Sequence, residues 1–182
     1  KARGLEQSGF WSKITAHPSY DAFWQQQAMD KLLAAQPLKV PTMVVHGWWD
    51  QEDIYGAPAV YRALEARDTD NDRVYLVAGP WNHGQQIDEA SSLGAIEFDA
   101  NTALQFRRDV LRPFLDHFLR DDAPKHDTAP VVAFETGSNR WQRLSAWPRG
   151  CDAGCTTTAT PLYLRADAAL SFDAPKADDA PE

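Results

Sequence analysis

Two short apolar runs, each closed by a glycine, constrain the fold of this chain more than any other feature. The first run covers residues 40–46 and ends at Gly47, and the second covers residues 74–78 and ends at Gly79. Between them, residues 57–67 place apolar side chains at helical spacing. A strand, a helix and a second strand in this order predict a βαβ unit, and the two strands are therefore expected to be parallel neighbours.

The segments on either side of this unit have helical spacing. The first 36 residues carry aromatic and apolar side chains near a 3.6-residue period, and Asp21 is a candidate N-cap within them. Residues 101–119 form a longer amphipathic pattern that contains Pro113, which lacks a backbone donor and is expected to kink the helix. We therefore expect helices before the unit and a covering helix after it.

The residue pattern changes after residue 122 from helical spacing to short β-like runs. These runs, at 131–134 and 162–164, are separated by Gly, Asn and Thr. We interpret this part as the beginning of an all-β domain. The resulting division is a helical segment at 1–36, an α/β core with a parallel sheet at 37–122, and an incomplete β domain at 123–182.

The net charge of -8 argues against nucleic acid or an anionic membrane as a partner, because both select for basic patches. No stretch approaches the roughly 20 consecutive apolar residues of a membrane helix. Cys151 and Cys155 are too few for a zinc site, which needs about four ligands. We slightly favour a small disulfide loop between them over two free thiols.

Asp50 and His83 follow the two predicted strands at equivalent ends, in Gly-rich and Trp-rich loops. Ligand-facing groups of open α/β sheets gather at the carboxyl ends of strands, so the two side chains are expected to meet. A neutral imidazole can take a serine proton, and a carboxylate can fix its tautomer. The pair therefore fits the acid and the base of a triad. No serine of the chain lies in a Gly-x-Ser-x-Gly elbow, so the nucleophile is expected upstream of Lys1 or is absent.

Four strings give the chain a specific family resemblance. Residues 47–53 (GWWDQED) and 79–83 (GPWNH) resemble the acid and base motifs of the cocaine esterase and X-Pro dipeptidyl-peptidase superfamily. The Gln-Glu-Asp continuation is most similar to the α-amino acid ester hydrolase branch. Residues 17–24 (HPSYDAFW) and 160–164 (TPLYL) resemble the same branch, so the likeness extends over nearly the whole chain.

The resemblance implies an incomplete α/β-hydrolase core with a helical cap segment and the beginning of a jelly-roll domain. It implies that Asp50 is the triad acid, that His83 is the base, and that Glu52 and Asp53 hold a substrate's α-ammonium group. A competing interpretation of Glu52 and Asp53 is that they cap the helix that begins near Ala57, because acidic residues are favoured there. The family's serine, its oxyanion donor tyrosine and a third carboxylate have no counterpart here.

The function that the resemblance implies is hydrolysis or transfer of the acyl group of α-amino acid esters and amides, of the β-lactam antibiotic type. No metal and no organic cofactor is implied. One rival is a cocaine-esterase-like or glutaryl-cephalosporin-acylase-like hydrolase, and another is a truncated, inert binding or structural domain. The chain alone is expected to be inactive. A periplasmic or secreted location is favoured over a cytoplasmic one, and oligomerisation of the complete protein is left open.

Overall fold

The structure is a computed structural model that describes residues 4, 9–148, 160–165 and 168–176. The chain forms two compact units, Lys1–Trp147 and Pro148–Glu182. The predicted pair Cys151 and Cys155 lies outside the described residues.

Three short helices open the first unit, as the aromatic spacing predicted. They are α1 (Gly9–Ala16), α2 (Ala22–Gln25) and α3 (Met29–Ala34). Asp21 caps α2, because its side chain accepts the backbone N–H of Phe23 at 2.9 Å. None of the residues in the three helices is buried.

The predicted βαβ unit is confirmed. Strands β1 (Thr42–Gly47) and β2 (Val74–Gly79) are parallel neighbours, with helix α4 (Gly56–Glu65) between them in the sequence. In their register Gly47 lies opposite Gly79, so both strands end at the same level. The loops that follow the two strands therefore begin side by side.

The sheet continues beyond β2 with strands that the sequence interpretation had assigned to a separate β domain. Strand β5 (Val131–Glu135) is parallel to β2, and β6 (Arg140–Leu144) is antiparallel to β5. The order β1-β2-β5-β6 makes a mixed sheet, and the assignment of residues 131–134 to another sheet was wrong. A short apolar run identifies a strand, but it does not identify the strand with which it pairs.

The amphipathic pattern at 101–119 is helical throughout, but it is not one regular helix. It consists of α5 (Thr102–Gln105), a π-helical stretch (Phe106–Leu111) and α6 (Arg112–Leu119). Pro113 is the second residue of α6, directly after the π-helical stretch. Such wide turns occur where the regular hydrogen-bond ladder is interrupted, and a proline supplies no donor to that ladder.

The core lies on both faces of the sheet because β2 and β5 are buried on both sides. Alternate strand residues point to opposite faces. One face collects Val74, Leu76 and Val131 with residues of α4, and the other collects Val77 and Val132 with residues that lie between β2 and β5 in the sequence. A fully buried Trp81 belongs to the second cluster, and its indole N–H donates to the Thr102 hydroxyl at 2.9 Å. The buried residues of the first cluster are Val44, Tyr61, Leu64, Val74, Leu76, Val131 and Ala133. Those of the second cluster are Val77, Trp81, Ala90, Ala103, Phe106 and Val132.

The remaining elements are short. A 3₁₀ turn (Gln85–Ile87) and a two-stranded ribbon of β3 (Ser92–Leu93) and β4 (Ile96–Glu97) follow β2. The second unit contains an antiparallel pair, β7 (Tyr163–Leu164) and β8 (Leu170–Ser171). A jelly roll in this part of the protein stays a prediction. Within the described residues, no helix has the length and apolar content needed to cross a membrane.

Gly47 gives a test of how tightly the strand ends are packed. A Cβ atom added there would lie 2.5 Å from the backbone carbonyl oxygen of Trp81, which cannot move as a side chain can. We expect Gly47→Ala to lower the free energy of unfolding by about 1–3 kcal/mol, the usual cost of overpacking. Urea denaturation measures this change.

The control is Gly9→Ala in α1, where an added Cβ would have nothing within 4 Å. This variant should be as stable as the wild type or slightly more stable, because alanine stabilises a helix more than glycine does. Equal stability of Gly47→Ala and the wild type would contradict the close approach.

Candidate active site

The loops after β1 and β2 are joined by backbone hydrogen bonds. The Trp48 N–H donates to the Gly79 carbonyl at 2.9 Å, and the Trp49 N–H donates to the Trp81 carbonyl at 3.0 Å. These bonds extend the pairing of the parallel strands by two residues. The residue that follows, Asp50, therefore starts from a fixed position beside the second loop.

Asp50 and His83 are in hydrogen-bond contact, as the sequence predicted. The Nδ1 atom of His83 lies 3.2 Å from Oδ1 and 3.1 Å from Oδ2 of Asp50. The Asp50 side chain is only 14% exposed, whereas that of His83 is 51% exposed. The carboxylate is thus shielded behind the ring, and an Nδ1–H donated to Asp50 leaves Nε2 as the nitrogen that can accept a proton.

Two backbone groups fix the Asp50 carboxylate. Its Oδ1 atom accepts the N–H of Glu52 at 2.9 Å and the N–H of Asp53 at 2.8 Å. The Asp53 N–H, followed by the Glu52 N–H and the His83 ring, lowers the pKa of Asp50 against an opposing effect of burial. Asp50 is therefore held ionised and oriented toward His83.

The acidic surroundings favour the protonated form of His83. Its hydrogen bond to Asp50 raises the pKa of the imidazole, and the negative charges of Glu52, Asp50 and Asp53 raise it further. Desolvation acts in the opposite direction. The imidazole of His83 is consequently a stronger base than an isolated histidine, and a larger fraction of it is protonated at a given pH.

Glu52 and Asp53 have different positions, although the sequence placed them together. The Oδ1 atom of Asp53 accepts the Gly56 N–H at 2.7 Å, at the first residue of α4. Asp53 therefore satisfies the first N–H of α4, as the competing interpretation proposed in outline, although Tyr55 and not Asp53 occupies the N-cap position. Glu52 instead places Oε2 4.0 Å from Nε2 of His83, with 64% of its side chain exposed. Their role toward an ammonium group stays a prediction.

Two supports of the site were not identified from the sequence. The turn at Asp50, whose side chain accepts N–H groups two and three residues ahead, is a known property of aspartate. From the sequence, Asp50 was interpreted as the triad acid and Glu52 and Asp53 as ammonium ligands or helix caps, and the two hydrogen bonds that Asp50 accepts from their N–H groups were not predicted. The second support is Gln85, whose Oε1 accepts the Asn82 N–H at 3.2 Å and whose Nε2 donates to the Ser92 carbonyl at 2.9 Å.

One further histidine, His46, lies close enough to Asp50 and Asp53 for their charges to act on it. His46 is buried at the end of β1 with its ring 5.9 Å from that of Trp48, and burial lowers its pKa. Burial therefore favours the neutral form of His46, and the charges of Asp50 and Asp53 act against it. Among the residues that the structure describes, no group of three or more His, Cys, Asp and Glu is arranged to hold a metal ion.

Comparisons with known proteins agree with the resemblance. Residues 1–85 match the family model described as X-Pro dipeptidyl-peptidase (S15 family). A solved structure of an α-amino acid ester hydrolase labelled with selenomethionine is 56% identical, with a TM-score of 0.87, over 98% of this chain and 29% of that chain. The chain is therefore similar to the S15 family over residues 1–85 and to this ester hydrolase over nearly its whole length.

A second similar structure is the crystal structure of an aminopeptidase from a marine sediment archaeon, Thaumarchaeota archaeon. It is 49% identical, with a TM-score of 0.84, over 98% of this chain and 28% of that chain. The chain therefore spans less than a third of either protein. Both neighbours are hydrolases, and the mixed sheet with its helices matches a fragment of an α/β-hydrolase-like fold. Among curated proteins, the comparison finds no match.

The contact between His83 and Asp50 predicts a titration that NMR can follow. The pKa of His83 should lie above the ordinary value of about 6.5, since the acidic groups stabilise the imidazolium. Asp50→Asn should lower this pKa, because the amide keeps a similar shape but loses the charge. An unchanged histidine titration in Asp50→Asn would show that the two side chains are not in contact in solution.

Proposed function

We propose that this chain supplies the acid and the base of a serine hydrolase that acts on esters or amides of α-amino acids. The proposal rests above all on the contact between Asp50 and His83, at equivalent ends of neighbouring parallel strands. Asp50 orients the ring through Nδ1, and Nε2 is available to a serine hydroxyl. The serine itself is proposed to come from a part of the protein outside this chain.

In this mechanism Nε2 of His83 takes the serine proton as the serine oxygen attacks the acyl carbon. The imidazolium that forms is stabilised by Asp50, which stays ionised. His83 then donates its proton to the leaving alcohol or amine, and an acyl-enzyme remains. A water molecule attacks the acyl carbon, gives its proton to Nε2 and releases the acid, while the serine oxygen regains a proton from His83.

Recognition of an α-ammonium group is the finer part of the proposal. The names of both structural neighbours, an α-amino acid ester hydrolase and an aminopeptidase, refer to substrates with an α-amino function. In this chain Glu52 carries an exposed carboxylate beside Nε2 of His83, where the reacting acyl group would lie. Asp53 is adjacent but also accepts the first N–H of α4, so we assign it the smaller share of ammonium binding.

The rivals are an ester hydrolase with a different acyl group and an inert binding or structural piece. The carboxylate of Glu52 beside His83 favours an ammonium-bearing substrate over a neutral acyl group. The ordered contact between Asp50 and His83 favours an enzyme over an inert piece. The proposal also includes a periplasmic or secreted location. It further includes a small-molecule substrate, with neither nucleic acid nor a membrane as a partner.

Asp50→Asn tests the triad in the complete protein that carries this segment. We expect a variant that folds normally and loses about four orders of magnitude in kcat, because the wrong imidazole tautomer is favoured. The same substitution in serine proteases has an effect of this size. Circular dichroism checks the fold, and ester hydrolysis measures kcat. Activity within about tenfold of the wild type would mean that another carboxylate orients His83.

Selectivity tests the ammonium site. The complete enzyme should prefer an α-amino ester to its des-amino analogue by about tenfold or more in kcat/KM, since this ratio reflects about 1.4 kcal/mol in the transition state. Glu52→Gln should reduce the preference most, mainly by slowing the amino substrate. Asp53→Asn should reduce it less, and its side-chain oxygen can still accept the first N–H of α4.

A matched control is Glu97→Gln on β4, which removes one negative charge from an exposed glutamate. This variant should keep the wild-type preference. If Glu52→Gln and Asp53→Asn also keep it, the two carboxylates do not bind the ammonium group, and the rival ester hydrolase becomes the better explanation.

A further inference from the structure

Glu52 lies against the one ring nitrogen of His83 that Asp50 leaves free. Its Oε2 atom is 4.0 Å from Nε2, which is ion-pair distance but longer than a hydrogen bond. The side chain is 64% exposed and projects from a turn whose backbone is fixed by Asp50. Glu52 can therefore change partners by rotating its side chain, without any movement of the Asp50 and His83 pair.

The charges around His83 oppose its use as a base. Three carboxylates face the imidazole: Asp50 at Nδ1, Glu52 near Nε2, and Asp53 at a greater distance on the same turn. All three stabilise the imidazolium. Asp50 is needed in this role during the reaction, but Glu52 stabilises the proton on the nitrogen that has to accept one. An empty site is consequently biased toward the inactive, protonated histidine.

We propose that Glu52 couples substrate binding to the protonation of His83: in the empty site it pairs with the imidazolium, and an α-ammonium that takes Glu52 as its partner releases the Nε2 proton. This inference rests on the function proposed above. The released proton goes to water, the ammonium keeps its own protons, and no other bond changes. Binding of the substrate thereby generates the neutral imidazole that takes the proton of the serine hydroxyl.

The direction of the effect follows from charge alone. A bound ammonium neutralises Glu52 and adds a positive charge near the ring, and both changes disfavour the imidazolium. A unit-charge pair at 4 Å in a water-like dielectric corresponds to a shift of about half a pH unit or more. Linkage is reciprocal, so the protonated enzyme should bind the ammonium about three- to fivefold more weakly.

The experiment is an NMR titration of His83 in the complete hydrolase, with its signal identified by its loss in His83→Gln. The two probes are phenylalanine and 3-phenylpropanoate, which share a carboxylate and a ring and differ in the ammonium group. We expect saturating phenylalanine to lower the pKa of His83 by about half a unit or more relative to 3-phenylpropanoate. Glu52→Gln should lower the pKa of His83 in the empty site and should make the difference between the probes smaller than in the wild type, because only the direct repulsion between the ammonium and the imidazolium then remains.

Glu97→Gln is the control for a general loss of negative charge, and it should leave both results unchanged. If phenylalanine binds more tightly than 3-phenylpropanoate but the pKa of His83 is the same with either probe, the coupling is wrong and the ammonium site survives. If phenylalanine has no advantage in affinity, the ammonium site and the coupling fail together. A difference between the probes that is as large in Glu52→Gln as in the wild type would assign the coupling to another group.

Discussion

The close approach of β1 to the backbone after β2 is the constraint on which the rest of the site depends. Gly47 lies where a side chain would collide with the carbonyl of Trp81, and that same carbonyl accepts the N–H of Trp49. The buried indole of Trp81 fixes this segment from the other side. Asp50 and His83 thus lie within two residues of a rigid junction, and their contact follows from the geometry of the backbone.

Those parts of the fold that depend on local pattern could be predicted from the sequence. The βαβ unit was visible because two apolar runs, each closed by a glycine, enclose a helical period. The meeting of Asp50 and His83 followed from the rule that parallel strands end at one edge. Both inferences need only the direction of neighbouring strands, which the intervening helix determines.

The parts that depend on long-range pairing could not be predicted in this way. Strand β5 joins β2 across more than 50 residues of sequence, and its apolar run would look the same in a separate domain. The division of roles between Glu52 and Asp53 was equally hidden, because two adjacent carboxylates differ only in where the turn directs them. Asp53 meets the start of α4 and Glu52 meets His83, and this outcome is decided by the hydrogen bonds that Asp50 accepts.

The single turn after β1 therefore resolves a conflict that its composition creates. Three carboxylates within four residues repel one another and would favour an imidazolium at all times if they acted alike. Backbone N–H groups compensate the charge of Asp50, and the N-terminus of α4 compensates that of Asp53. Among the residues that the structure describes, no backbone N–H donates to the carboxylate of Glu52. Its charge is directed at a cation instead, either the imidazolium of His83 or a substrate's ammonium. The acidity of the turn and its proposed selectivity thus have the same physical origin.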